Sequence, residues 1–151
     1  MDALKLLTER YSEKKLSAPA PNKQQLTQIF QAALRAPDHG KLQPYRFIVI
    51  EQDQMTEFSG LLKSAVHELN LGEERLKKAD DLATRAPMII GVVAKINPCI
   101  KKVPEWEQLL CAGCAAYAIQ LASNALGFKN VWVSGPWLEG ADLREAFQCE
   151  T

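Results

Sequence analysis

Apolar residues recur at helical spacing along much of this chain. Leu26, Ile29, Phe30, Ala33 and Leu34 form an i, i+3, i+4, i+7, i+8 stripe, which is typical of an amphipathic helix. This stripe predicts a helix over about 22–35, which Pro37 ends because proline cannot continue a helix. Similar spacing and the positions of capping residues predict further helices over about 2–10, 54–70, 73–83, 104–127 and 142–147.

Three shorter segments have the composition of β-strands. They cover about 45–51, 87–94 and 129–134. The second segment is apolar at both alternate sets of positions, which predicts a strand buried on both faces. Helices come first, and strands separated by helices follow. This order indicates an α/β or α+β fold in which helices flank a mixed sheet.

The predicted helix over 104–127 is apolar on nearly all sides. Such a helix must be covered all round to remain stable in water. A partner subunit could supply part of that cover. Alternatively, the helix could lie at the centre of its own chain. The pattern alone leaves both arrangements open.

Composition restricts the possible classes of function. The 151 residues suffice for one domain spanning 1–151. Eighteen basic and eighteen acidic residues cancel, so no overall field attracts nucleic acid or a membrane surface. The longest apolar stretch, 109–126, contains Gln120, Ser123 and Asn124, which favours a buried helix over a membrane span. Early charges exclude a signal peptide at the N-terminus, so we expect a cytoplasmic protein.

Two local groups of donors are candidates for binding an anion. The loop after the second predicted helix contains Arg35, His39, Lys41 and Arg46, with few acidic residues nearby in the sequence. We expect it to offer cationic side chains and free backbone amides. Arg10-Tyr11-Ser12 offers similar donors far upstream. Two such clusters in a neutral chain indicate a phosphorylated small molecule as the ligand.

No catalytic or metal-binding motif is evident. The chain lacks GxGxxG, GxSxG and Walker patterns, and its two histidines are far apart. Cys111 and Cys114 have CxxC spacing but lie inside a predicted helix rather than at its N-terminus. No second ligand pair accompanies them for zinc, so we interpret them as small buried packing residues. A bound cofactor would therefore carry any reaction, and no metal site is expected.

Taken together, the motifs resemble the nitroreductase family of FMN-dependent NAD(P)H oxidoreductases, especially its compact bacterial members. The resemblance depends on an ordered set of short segments that runs from end to end. These segments are Asp2-Ala3-Leu4, Arg10-Tyr11-Ser12, Arg35-Ala36-Pro37-Asp38-His39, Gln43-Pro44-Tyr45-Arg46-Phe47, Arg85-Ala86-Pro87, Val103-Pro104-Glu105-Trp106-Glu107, Ala112-Gly113-Cys114-Ala115, Gly127-Phe128, Trp132-Val133-Ser134-Gly135 and Arg144-Glu145-Ala146-Phe147.

The resemblance implies an obligate homodimer with two FMN sites at the subunit interface. It assigns the FMN phosphate and ribityl chain to Arg10, Tyr11 and Ser12. It assigns flavin contacts from the other subunit to Arg35 and His39. Three residues would line the isoalloxazine ring: Trp132, Val133 and Ser134. A further stretch would contact the nicotinamide nucleotide: Ala122, Ser123, Asn124, Ala125, Leu126 and Gly127.

The implied chemistry is a ping-pong transfer of hydride. NAD(P)H would reduce the flavin and leave, and a nitroaromatic, quinone or related electron-poor acceptor would then take the electrons. The chain departs from the family pattern in two places. Tyr11 replaces the second residue of a frequent double arginine, and Val133 stands where a basic residue is common. The family also usually continues beyond the position of Thr151 with another strand and a C-terminal extension, so the resemblance implies a C-terminally short member.

Two different functions also fit these residues. The chain could be a flavin-binding dimer without turnover, because that C-terminal part is missing. It could also be a thiol redox protein that uses Cys111 and Cys114. The candidate site residues have purely structural interpretations as well. Arg10 and Arg35 could simply be cations at helix ends, His39 could cap a turn, and Trp132 could be a core aromatic.

Overall fold

The structure is a computed structural model that describes residues 2–149. This part of the chain forms six α-helices and two strands, and each strand follows a pair of helices. They are α1 (Ala3–Glu9), α2 (Lys23–Ala33), β1 (Tyr45–Ile50), α3 (Met55–Glu68), α4 (Glu74–Arg85), β2 (Ile89–Ala94), α5 (Glu105–Ala125) and α6 (Ala141–Ala146). Short 3-10 helices occur at His39–Lys41, Gln52–Gln54 and Pro136–Glu139.

All six predicted helices are confirmed, and their ends are set by the expected local chemistry. The Asp2 carboxylate accepts a hydrogen bond from the Lys5 N–H at 3.0 Å and caps α1. Asn22 and Gln25 form a reciprocal capping box at the start of α2, with both bonds at 2.9 Å. Gly127 follows α5 with φ of 92°, a left-handed conformation that ends helices.

The sheet has two strands in the described part of the chain. The Lys95 N–H donates to the Pro44 carbonyl at 2.9 Å, which places the end of β2 beside the start of β1. The pair is therefore antiparallel. The α/β fold class is confirmed, although the described sheet is this antiparallel pair rather than the mixed sheet expected. The expectation that β2 is buried on both faces is wrong, because no residue of β2 is fully buried and Val92 is 37% exposed.

The strand predicted over 129–134 is absent from the residues that the structure describes. A strand needs a ladder of hydrogen bonds to a neighbouring strand. Among residues 2–149, one backbone hydrogen bond tethers this segment, from the Glu13 N–H to the Asn130 carbonyl at 3.0 Å. The β-forming composition of the segment is therefore not sufficient to make it a strand here.

The helices α1, α2 and α5 belong to one compact unit, which comprises residues 2–13, 20–48 and 91–131. In this unit α2 packs along α5, and α1 contacts α5. Ile29 and Ala33 of α2 and Ala115 of α5 are completely buried. Phe47 stacks on Phe30 and Tyr45, with ring centroids 5.2 and 5.1 Å apart.

A second compact unit comprises residues 14–19, 49–90 and 132–149. Within it, α3 packs against α4 and α6. Asp80 on α4 accepts hydrogen bonds from Lys63 at 2.7 Å and Ser59 at 2.8 Å, both on α3. Gly140 precedes α6 and has no room for a side chain, since a Cβ there would overlap Ala65.

Candidate functional site

One face of α5 is apolar and open to solvent. Its residues follow helical spacing and are Trp106, Leu109, Leu110, Cys114 and Tyr117, which we call the open α5 face. Leu109 and Leu110 are 57% and 61% exposed. The described chain therefore covers only the opposite face of α5. An exposed stripe of this kind marks an interaction surface.

Arg10 lies near one end of the open α5 face. Its guanidinium carbon is 6.0 Å from the centre of the Tyr117 ring. One terminal nitrogen donates a long hydrogen bond of 3.4 Å to the Ser12 hydroxyl, and the buried Nε has no partner. A guanidinium with an unused donor beside an exposed hydroxyl is suited to bind phosphate oxygens. These residues therefore fit the phosphate end of a nucleotide cofactor.

A second cation lies over Tyr11, the residue between Arg10 and Ser12, and no sequence motif points to it. The Lys129 ammonium is 4.5 Å from the centre of the Tyr11 ring, which is close enough for a cation–π interaction. The next residue, Asn130, exchanges hydrogen bonds of 3.0 and 3.1 Å with Gln120 on α5. Its carbonyl accepts the Glu13 N–H. These bonds bring residues 11 and 129 together, although 118 positions separate them in the sequence.

The loop around His39 differs from what its sequence indicates. The Asp38 carboxylate accepts the backbone N–H groups of Leu42 and Gln43 at 3.0 and 2.8 Å. The expectation of free backbone amides is therefore wrong for these two. His39 Nδ1 lies 2.8 Å from the Glu107 carboxylate of α5, 68 positions along the chain. The acidic partner of His39 thus comes from α5, so the sequence around the loop does not reveal it.

Arg35 lines a shallow cavity of about 360 Å³ that it shares with Cys114 and Tyr117. The structure thus brings Arg10 and Arg35 to the same aromatic residue. His39 instead contacts Glu107, which precedes Tyr117 by ten residues on the same helix. At a rise of 1.5 Å per residue these two contact points are about 15 Å apart. Within one chain, Arg10 and His39 do not converge.

The segment predicted to line a flavin ring is accessible. Trp132, Val133 and Ser134 are all exposed, with Trp132 57% exposed. The alternative of Trp132 as a core aromatic is therefore wrong for this chain. Its large apolar surface remains available to a ligand or a partner.

Polar side chains at the end of α5 are engaged within the helix end itself. The Ser123 hydroxyl donates to the Ile119 carbonyl at 2.7 Å, and the Asn124 amide donates to the Phe128 carbonyl at 3.1 Å. Ala125 and Gly127 are exposed. A nucleotide approaching 122–127 would therefore meet mainly backbone and small side chains.

The two cysteines of α5 differ in their surroundings. Cys111 is 5% exposed, and burial raises the pKa of its thiol to about 11, with the nearby Asp38 carboxylate as the second cause. It therefore stays protonated at neutral pH, which disfavours a redox pair. Cys114 is exposed rather than buried as expected. Within residues 2–149, no cluster of His, Cys, Asp or Glu is arranged to hold a metal ion.

Comparison with known proteins points to one family. The sequence profile of the Nitroreductase family matches residues 7–150. A Haemophilus influenzae protein named "Putative NAD(P)H nitroreductase" is 64% identical over 149 residues, which cover 99% of this chain and 81% of that protein. The Escherichia coli K12 protein "Putative NAD(P)H nitroreductase YdjA" is 44% identical with the same coverage.

Solved structures share the fold. A nitroreductase-like family protein from Bacillus cereus superposes with a TM-score of 0.85 at 19% identity, covering 99% of this chain and 79% of its own. A nitroreductase with bound FMN from Desulfitobacterium hafniense superposes with a TM-score of 0.71 at 25% identity, covering 96% and 77%. As regards membranes, none of the helices described in this chain has the length and apolar character needed for a span.

Proposed function

Because the chain belongs to the Nitroreductase family, which consists of oxidoreductases, we propose that it is an FMN-dependent enzyme. It passes electrons from NAD(P)H to nitroaromatic, quinone or related electron-poor acceptors by a ping-pong mechanism. FMN supplies the hydride transfer when bound. The nicotinamide donor is suggested by the names of the two relatives, and the flavin by the FMN-bound neighbour.

The open α5 face carries this proposal. Two chains of a homodimer would cover it for each other, with α5 helices antiparallel about a twofold axis. That arrangement brings Tyr117 of one α5 helix near Glu107 of the partner's α5 helix. Arg10 of one chain and His39 of the partner subunit would then approach one cleft, although the α5 positions that they contact within a chain are about 15 Å apart. Each dimer would hold two FMN sites.

The remaining predicted residues have distinct tasks in this dimer. Arg10 and Ser12 would bind the phosphate, and Arg35 would act from the partner chain. The exposed segment Trp132-Val133-Ser134 would border the isoalloxazine ring and exclude water from it. Residues 122–127 would contact the nicotinamide nucleotide through backbone groups, since their polar side chains are engaged locally. We further propose that residues 1–151 form a single cytoplasmic domain.

Anaerobic reduction tests this function. We expect the purified, FMN-loaded protein to lose flavin absorbance when NADH or NADPH is added, and to recover it when 4-nitrobenzoate or menadione follows. Steady-state rates at several acceptor concentrations should give parallel double-reciprocal plots. Retained absorbance with both nucleotides would instead support a flavin-binding dimer without turnover. Activity without flavin that a Cys114→Ala variant lost would support thiol chemistry.

A further inference from the structure

We propose that Lys129 is a second phosphate-binding cation of the FMN site, and that Tyr11 and Asn130 are the residues that position it. This inference rests on the proposed function, since it takes FMN as the ligand. It adds a residue that the resemblance did not assign. It also gives Tyr11 a physical role, as the surface on which the Lys129 ammonium lies.

Charge balance is the first reason to assign Lys129 to the phosphate. A phosphate monoester carries about −1.5 to −2 charges near neutral pH. The group Arg10, Tyr11 and Ser12 contains one cation. A single guanidinium leaves part of that charge uncompensated. The Lys129 ammonium, which lies over the central residue of this group, is placed to add positive charge there.

The Lys129 ammonium is also available to a ligand. Lys129 is exposed and lies over the Tyr11 ring at 4.5 Å. In the part of the chain that the structure describes, it forms no ion pair with a carboxylate. The Lys129 ammonium has three N–H donors, and those not directed at the ring remain open to a ligand. Those donors can therefore meet a phosphate without first leaving an acidic partner.

Hydrogen bonds around Asn130 hold the backbone next to Lys129 against the backbone next to Ser12. The Asn130 carbonyl holds the Glu13 N–H at 3.0 Å, and the Asn130 side chain exchanges two hydrogen bonds with Gln120. These bonds tie the backbone after Ser12 and the backbone after Lys129 to the same helix, α5. The backbone of Lys129 is thus held beside the segment that carries Arg10 and Ser12 before a ligand binds. Preorganised groups lose less conformational freedom on binding and give higher affinity.

Comparison of FMN with riboflavin isolates the phosphate contribution. We would titrate flavin-free protein with each ligand and follow the quenching of flavin fluorescence. Lys129→Met removes the charge but keeps a long side chain, and Lys129→Arg restores the charge. Lys23→Met makes the same charge change at the exposed start of α2 and serves as the control.

We expect Lys129→Met to raise the FMN dissociation constant about tenfold or more, as for the loss of one charge-assisted hydrogen bond. Riboflavin affinity should change less than about twofold. Lys129→Arg should return FMN affinity to within about threefold of the parent, and Lys23→Met should match the parent.

Three outcomes would overturn the inference, and they have different meanings. If Lys129→Met binds FMN as the parent does, while the parent prefers FMN over riboflavin, Lys129 is not a phosphate ligand and the flavin site stands. If the variant loses FMN and riboflavin affinity equally, Lys129 has only a structural role. If the parent protein binds FMN no tighter than riboflavin, the proposed phosphate site itself is wrong.

Discussion

Replacing Leu110 with glutamate tests whether the open α5 face is a subunit interface. Leu110 is 61% exposed at the middle of that face. In a twofold dimer the substitution occurs twice, so it places two carboxylates in the surface that the partner must cover. Because most of the Leu110 side chain is not buried within its own subunit, each subunit should still fold.

The exposed area of Leu110 sets the size of the effect. Complete burial of a leucine side chain contributes about 1.5–3 kcal/mol. The exposed 61% of Leu110 therefore accounts for about 1–2 kcal/mol in each chain, and for about 2–4 kcal/mol in the dimer. This corresponds to an increase of roughly 30- to 1,000-fold in the dimer dissociation constant. Desolvation of the new carboxylates adds to this loss.

Sedimentation velocity over a range of concentrations measures the dissociation constant of the dimer. Cysteine labelling shows whether the open α5 face is covered. Cys114 lies on the open α5 face, so a dimer should protect it from iodoacetamide. Leu110→Glu should expose it. Cys111 should stay unlabelled at pH 8 in both proteins while they are folded, because burial raises its pKa to about 11. Peptide mass mapping distinguishes the two thiols.

Leu138→Glu provides the matched control, since Leu138 is 46% exposed but lies outside α5. It should leave both the dissociation constant and Cys114 labelling unchanged. A subunit interface on the open α5 face is excluded if Leu110→Glu dimerises as tightly as the parent, or if Cys114 is labelled equally fast in both proteins. Labelling of Cys111 in the variant would indicate unfolding rather than dissociation.

Three further substitutions test the fold that supports the site. The buried Gln108 side chain makes three hydrogen bonds to the 97–103 loop at 2.8–2.9 Å. Gln108→Leu should therefore lower the free energy of unfolding by about 2–4 kcal/mol in urea titrations. An unchanged urea midpoint would contradict this. Gly140→Ala should lower Tm because its Cβ overlaps Ala65, whereas Gly60→Ala on α3, where nothing lies within 4 Å, should not. Lys63 and then Ser59 lower the pKa of Asp80 from 3.8 through hydrogen bonds, so Asp80 should add stability above pH 3.8 and lose it as the pH falls through its folded pKa. The Tm difference between the parent and Asp80→Asn should therefore shrink from pH 7 to pH 3, and an equal difference at both pH values would exclude this ion pair as its cause.

The helices can be predicted from the sequence because their signals are local. The stripe from Leu26 to Leu34 and the cap at Asn22 lie within one or two turns of the helix that they define. The strand expected over 129–134 cannot be judged in this way. A strand depends on a pairing partner elsewhere in the chain, and β-forming residues alone do not supply one.

The sequence predicts the site only in part, for the same reason. Arg10 and Ser12 are close together in the sequence, so their motif is visible there. Lys129 meets Tyr11 because Asn130 bonds both to Gln120 on α5 and to the backbone of Glu13. His39 acquires Glu107 across 68 positions. Long-range pairs of this kind leave no periodic or motif signal in a single sequence.

Two copies of this chain should hold FMN between them, and native mass spectrometry of the FMN-loaded protein counts chains and flavins together. We predict a species with two chains and two FMN molecules, and we predict that Leu110→Glu loses both the second chain and the flavin. Single chains of the parent that retain FMN, or parent dimers that bind none after reconstitution, would contradict a flavin site shared between subunits.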